Sequence, residues 1–273
     1  MTLAFGLLLC LSSLAGCGPA LSGEPAQARS GGPGRHEIVV FAAASLSEPF
    51  TQIAKAFEAQ HPNAYVTYSF GGSALLRTQI EQGAPADVFA SADLANAQRA
   101  RAEALIAPEV IFARNRLVVV VPADNPGRVE SLADLARPGL KVALAAPDVP
   151  AGAYAAELLR RASGVPGYGL DFAARVDANV VSREPNVKQA LARVRLGEVD
   201  AGIVYATDAS PDTQAGRWSI RAVEIPDDLN ADAAYAIAST SRSRNQELAR
   251  EFVAFVISPA GQAILRRAGF AAP

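Results

Sequence analysis

Beyond residue 17 the chain has no cysteine: Cys10 and Cys17 are the only two among 273 residues. The folded part therefore offers no thiolate nucleophile, no disulfide, no Cys-rich zinc site and no iron–sulfur ligand set. Histidine is almost as scarce. His36 sits at the edge of a glycine- and proline-rich stretch, and His61 precedes Pro62 at a turn. That leaves no base for a Ser–His pair. A Gly-x-Ser-x-Gly elbow is missing too, since Gly71-Gly72-Ser73-Ala74-Leu75 breaks the pattern. Both absences argue against an exported hydrolase. Charge of one sign is also lacking. With 25 Lys and Arg against 27 Asp and Glu, the net charge is −2, and no nucleic-acid footprint results. After the first seventeen residues no apolar run is long enough to cross a bilayer.

What is present begins with a leader. Residues 1–17 carry no charged side chain, and Leu3 to Leu14 form an apolar core of signal-peptide length. It ends in Leu14-Ala15-Gly16-Cys17, which resembles a bacterial lipobox, although the usual basic start is missing. The resemblance implies lipidation of Cys17, export, and attachment to the cell membrane facing the periplasm or the exterior. Residues 18–36 follow as a tether: 8 of the 19 are glycine or proline. A flexible chain of that length spans roughly 25 Å.

The body alternates strand and helix, so it is an α/β chain with mainly parallel sheets. Half of its residues are hydrophobic, enough for a sizeable core. Ile38 to Ala43 read as a buried strand that runs straight into a helix, whose apolar face is Leu46, Phe50, Ile53, Ala54 and Phe57. Ser45 stands at the junction with Glu48 three residues on, the spacing of a capping box. A second strand, Tyr65 to Phe70, runs into Gly71-Gly72-Ser73 and another helix. A serine at a helix N-terminus, at the carboxyl end of a strand, suits an anion. Further strands are expected at Asp87–Ala90, Asn115–Pro122, Lys141–Ala146, Val176–Val181, Asp200–Tyr205, Arg221–Ile225 and Ala234–Ala238. Helices are expected from Ala153 to Ala162, after Pro185-Asn186, over Gln246–Ile257 and from Pro259. Leu117–Val121 and Tyr235–Ala238 are suited to be two antiparallel crossings of a hinge between two lobes.

Four runs occur in an order found in one family. They are Phe41 to Leu46, Gln79 to Asp93, Val149 to Gly152, and Ala201 to Ala209. Together they resemble the molybdate-binding proteins that feed ABC importers, over roughly residues 37–273. The resemblance implies a type II periplasmic-binding-protein fold: two Rossmann-like lobes joined by a two-strand hinge, with the ligand cleft between them. On this reading lobe 1 comprises 37–116 plus 238–273, and lobe 2 comprises 117–237. The implied ligand is molybdate or tungstate, with no cofactor, no catalytic residue and no metal held as a cation. The implied partners are a permease and its ATPase, and the protein is a monomer.

Residue by residue, the resemblance carries the two strand–helix serines onto Ser45 and Ser73. It carries two backbone N–H donors onto Ala151 and Val187, and a closing tyrosine hydroxyl onto Tyr205. The sequence departs from the family's habit at Gly71-Gly72, where alanine or serine is frequent, and at Asn186, where an acidic residue often precedes the valine. Physical chemistry supports such a donor set. Molybdate near neutral pH carries no proton, so its oxygens only accept hydrogen bonds. Hydrogen phosphate also needs an acceptor. Sulfate, like molybdate, needs none, and another tetrahedral oxyanion such as sulfate is the alternative ligand. A sensor domain of a cytoplasmic regulator on the same fold fits poorly with the lipobox.

Overall fold

The computed structural model describes residues 36–209 and 220–273, so Cys17 and nearly all of the tether lie outside the described residues. Two five-stranded sheets organise the chain. The first holds β1 (His36–Ala43), β2 (Ala64–Gly71), β3 (Val88–Ser91), β4 (Val110–Asn115) and β10 (Ala233–Ser239), in the order β2-β1-β3-β10-β4. The second holds β5 (Leu117–Pro122), β6 (Val142–Ala145), β7 (Val180–Glu184), β8 (Ala201–Tyr205) and β9 (Ile220–Glu224), in the order β7-β6-β8-β5-β9.

The two sheets share one plan. In each, three strands pair in parallel and two more add antiparallel. Each is therefore mixed, with as many antiparallel as parallel pairings. β3, β5, β8 and β10 are buried along their whole length. A strand covered on both faces has no polar side to alternate with, which is why these segments read as unbroken apolar runs.

Helices cover the sheets. On the first sheet, α1 (Ser47–Gln60) turns Phe50, Ile53 and Phe57 inward, and none of the three is exposed. Phe50 meets Phe112 and Phe252 at centroid distances of 5.9 and 6.3 Å, which ties α1 to β4 and to α7 (Gln246–Ile257). Each such ring contributes about 1.5–3 kcal/mol by leaving water. α2 (Ser73–Glu81), α3 (Leu94–Ala102) and α8 (Pro259–Arg267) complete this half. On the second sheet lie α4 (Pro150–Ala162), α5 (Phe172–Ala178) and α6 (Val187–Arg195). α6 buries Val187, Ala190, Leu191 and Val194 along one face.

The chain changes sheet at two places. The first is Arg116, between β4 and β5. The second is the segment 225–232, between β9 and β10. Asn230 fastens one to the other: its Oδ1 accepts from the Leu117 N–H and its Nδ2 donates to the Leu117 carbonyl, both at 2.9 Å. Leu117–Val121 and Tyr235–Ala238 do not themselves cross. The first lies wholly in the second sheet and the second wholly in the first. The expected strand Asn115–Pro122 begins at Leu117 instead, and Asn115 ends β4, a strand of the other sheet that the sequence reading did not anticipate.

Two further expectations are corrected. Val176 to Ala178 end a helix, and the strand runs from Val180 to Glu184. Val176 is buried as part of the inner face of α5, and a short amphipathic helix mimics a strand start when only three residues are read. α4 begins at Pro150, not Ala153, because proline's fixed φ suits the first helical position.

Candidate binding site

The structure brings Ser45, Ser73, Ala151, Val187 and Tyr205 to one small cavity. Its volume is about 10 Å³, close to the least that holds one water molecule. Gly72, Pro150 and Asn186 also border it, and no charged residue does.

Ser45 does not cap α1. It lies inside a 3₁₀ turn, Ala44–Leu46, interposed between β1 and α1. Its Oγ sits 2.9 Å from the Tyr235 Oη. The expected capping partner, Glu48, instead accepts from Ser47 Oγ and from Lys188 Nζ, both at 2.8 Å. A capping box of the anticipated kind forms elsewhere, where Asp134 Oδ2 accepts from the Ser131 N–H at 2.8 Å.

Ser73 is the first residue of α2, as its place after a strand suggests. Its Oγ accepts from the Ala92 N–H at 3.0 Å, which leaves the hydroxyl proton for the cavity. Ala151 stands in the first turn of α4 and Val187 opens α6. First-turn N–H groups have no partner within their own helix, so three helix N-termini aim donors at one spot. Each contributes roughly half a positive charge. Asn186 keeps α6 in place: its Oδ1 accepts from the Gln189 N–H at 3.1 Å. An amide caps there as well as a carboxylate and brings no negative charge to the cavity.

Glycine makes the close approaches possible. A Cβ on Gly152 would stand 2.1 Å from the Ala146 carbonyl oxygen, so the start of α4 can rest against the end of β6 only without a side chain. A Cβ on Gly72 would stand 2.6 Å from the Pro185 oxygen, on the facing side of the cavity. The glycine at 72 thus lets the two walls meet.

Tyr205 ends β8 and is 1 % exposed. Its hydroxyl is buried without a hydrogen-bond partner. Tyr235 packs beside it at 5.6 Å between ring centroids. Burial pushes the Tyr205 phenol far above its ordinary range, with Tyr235 and Tyr154 adding to the shift, so it stays a neutral donor. A buried hydroxyl without a partner costs about 1–3 kcal/mol. That cost is intelligible where a ligand completes the bond.

Sequence reasoning did not single out Tyr235 or Lys188 at this site. Tyr235 entered only as the start of a strand suited to a hinge crossing, and Lys188 did not enter at all. Their partners are 190 and 140 residues away, so no local signal marks them. Among the described residues no group of three or more His, Cys, Asp or Glu side chains could hold a metal ion.

The chain is 41% identical over 265 residues to a molybdate-binding protein of Mycobacterium tuberculosis, covering 96% of this chain and 94% of that one. Its fold matches the periplasmic molybdate-binding protein of Azotobacter vinelandii, with a TM-score of 0.74 at 23% identity, covering 86% of this chain and 99% of that chain. It also matches the sulfate-binding protein SubI of Mycobacterium tuberculosis, with a TM-score of 0.76 at 22% identity, covering 86% of each chain. The sequence profile of the bacterial extracellular solute-binding proteins matches residues 38–271, and the chain belongs to that family.

Proposed function

We propose that this protein binds molybdate or tungstate outside the cytoplasm and delivers it to the permease of an ABC importer. One observation carries the reading. The buried, unpartnered Tyr205 hydroxyl lines an uncharged cavity in which the other polar groups are also poised to donate. Ser45, Ser73 and Tyr205 supply hydroxyls, and Ser45, Ser73, Ala151 and Val187 supply N–H groups. A proton-free tetrahedral dianion satisfies such a set completely. Hydrogen bonds to a charged acceptor contribute about 1.5–3 kcal/mol each, which offsets lost hydration. The 41% identity to a molybdate-binding protein supports the same ligand.

Donors come from both sheets: Ser45 and Ser73 from the first, Ala151, Val187 and Tyr205 from the second. The ligand is therefore held best when the two lobes meet, and binding favours the closed form. The hinge lies at Arg116 and 225–232. Lipid attachment through Cys17 keeps the protein at the membrane surface, where the permease is, and it works there as a monomer. Release of a Cys17→Ser variant from membranes tests the anchor.

Sulfate is the second reading, because it too carries no proton and the fold is shared with a sulfate-binding protein. Calorimetric titration with molybdate, tungstate, sulfate and phosphate separates the two. Tight binding of molybdate or tungstate with weak sulfate and phosphate is the expected result. Equal or tighter binding of sulfate overturns the assignment.

A further inference from the structure

If the cavity takes an oxyanion, as proposed above, its donors do not choose among the dianions that carry no proton. Sulfate, selenate, molybdate and tungstate all present four acceptor oxygens. They differ in size, because the bonds from molybdenum or tungsten to oxygen are longer than those from sulfur or selenium. A cavity bordered by two lobes can measure size across the gap between its walls.

Each wall is stiff by itself. In the first, Ser73 Oγ is held by the Ala92 N–H at 3.0 Å. In the second, the start of α4 rests against the end of β6, where Gly152 leaves no room for a side chain. Asn186 Oδ1 holds the first turn of α6 through the Gln189 N–H at 3.1 Å. Donors within a wall therefore keep their spacing, and the adjustable dimension is the distance from wall to wall.

Gly72 stands at that gap. It is the N-cap of α2, directly before Ser73, and it borders the cavity. A Cβ on it would lie 2.6 Å from the Pro185 oxygen and 3.5 Å from Val149 Cγ2, both in the facing wall. Val149 is the N-cap of α4, and Pro185 directly precedes Asn186, the N-cap of α6. The Gly72 backbone thus rests against the two segments that lead into Ala151 and Val187. A backbone carbonyl cannot swing aside as the end of a side chain can, so the contact is a hard stop.

We propose that Gly72 is a specificity-determining residue, whose contact with the Pro185 carbonyl sets how closely the walls approach and so which size of tetrahedral dianion reaches both donor sets. A methyl group at this position parts the walls by several tenths of an ångström. A larger ion still bridges the wider gap better than a smaller one.

The test titrates sulfate, selenate, molybdate and tungstate at pH 7 into the wild type, Gly72→Ala and Glu48→Gln. Sulfate and selenate are also read by displacement of bound molybdate, and thermal unfolding confirms that each variant is folded. The φ of −67° at Gly72 suits alanine, and the lobes can part to admit the methyl. In Gly72→Ala, molybdate and tungstate, which are close in size, should weaken together by about tenfold. Selenate and sulfate should weaken by about a further tenfold, the equivalent of one more hydrogen bond lost to a charged acceptor. Glu48→Gln weakens a bond between α1 and α6 without adding an atom between the walls, so it should weaken all four ions by one common factor. Equal weakening of the four ions in Gly72→Ala, complete loss of all four, or no change overturns the proposal. The same ordering by size in Glu48→Gln also overturns it, since the ordering would then follow the strength of closure and not the gap. Failure of the wild-type protein to bind any of the four overturns the oxyanion reading itself, and the proposal with it.

Discussion

Lys188 Nζ lies 2.8 Å from Glu48 Oε1, and this contact joins α6 on the second sheet to α1 on the first, directly beside the candidate site. The same ammonium lies 2.9 Å from Asp208 Oδ1 on its own side. The two carboxylates differ in burial: the Glu48 side chain is 66% exposed and that of Asp208 is 1% exposed. Burial lowers the Lys188 pKa, but Asp208 and Glu48 more than offset it and hold the ammonium charged.

Two substitutions should therefore separate closure from stability. Glu48→Gln removes a largely exposed pair, worth about 0.2–1 kcal/mol, so ligand affinity should fall by up to about fivefold with little change in unfolding. Lys188→Met strands Asp208 inside the protein and should cost about 3–5 kcal/mol of stability. Chemical denaturation and calorimetric titration of both variants distinguish the two effects.

The pH dependence follows from Glu48. Burial raises its pKa, but hydrogen bonding and charge from Lys188, together with Ser47, bring it below the ordinary 4.5. A carboxyl with a depressed pKa supports the folded, closed form above its ordinary value and loses that support as pH falls through the lowered one. Affinity should therefore decline modestly below about pH 4.5 in the wild type. In Glu48→Gln that part of the decline should vanish, as titrations from pH 7 to pH 4 would report.

Gly72→Ala is expected to hold the cleft ajar. Its φ of −67° accepts alanine without backbone strain. The new methyl would nevertheless stand 2.6 Å from the Pro185 oxygen across the cavity. Stability without ligand should hold or rise by about 0.4–1 kcal/mol, because the unfolded chain loses freedom. Affinity should fall by about tenfold or more, the equivalent of at least 1.4 kcal/mol set against closure. Calorimetry together with solution scattering, which should show a more open ligand-bound form, checks both parts.

Replacing both serines tests the donors, at a cost to the fold. Ser73→Ala leaves the Ala92 N–H unpaired, and Ser45→Ala leaves the buried Tyr235 hydroxyl without its Ser45 partner. Each should lower stability by about 1–3 kcal/mol. The double variant should remain folded and bind no molybdate in a thermal-shift assay. A double variant that still binds places the site elsewhere.

Much of this architecture is legible in the sequence because buried strands announce themselves. Val118 to Val121 and Ile203 to Tyr205 have no polar face to disguise them. Ser73 is legible as a helix-opening serine, and it does open α2. The role of Ser45 is less so, because the 3₁₀ turn after β1 has no distinctive composition and the Ser45–Glu48 spacing imitates a cap. Ala151 and Val187 act through their backbone, which a sequence does not display, and only family resemblance points to them. The cross-sheet contacts of Lys188, Tyr235 and Gly72 depend on how two distant halves meet. No periodicity within either half encodes them.

The central claim is that an uncharged cavity holds a dianion with donors kept waiting for it, and Tyr205→Phe tests this most directly. The wild-type hydroxyl is buried and unpartnered. Its removal should leave ligand-free stability unchanged or raise it by up to about 3 kcal/mol. Molybdate affinity should fall about tenfold or more, as befits a lost bond to a charged acceptor. Opposite signs in the two measurements are the predicted result. A variant that is less stable without ligand yet binds molybdate as tightly as the wild type would contradict the account.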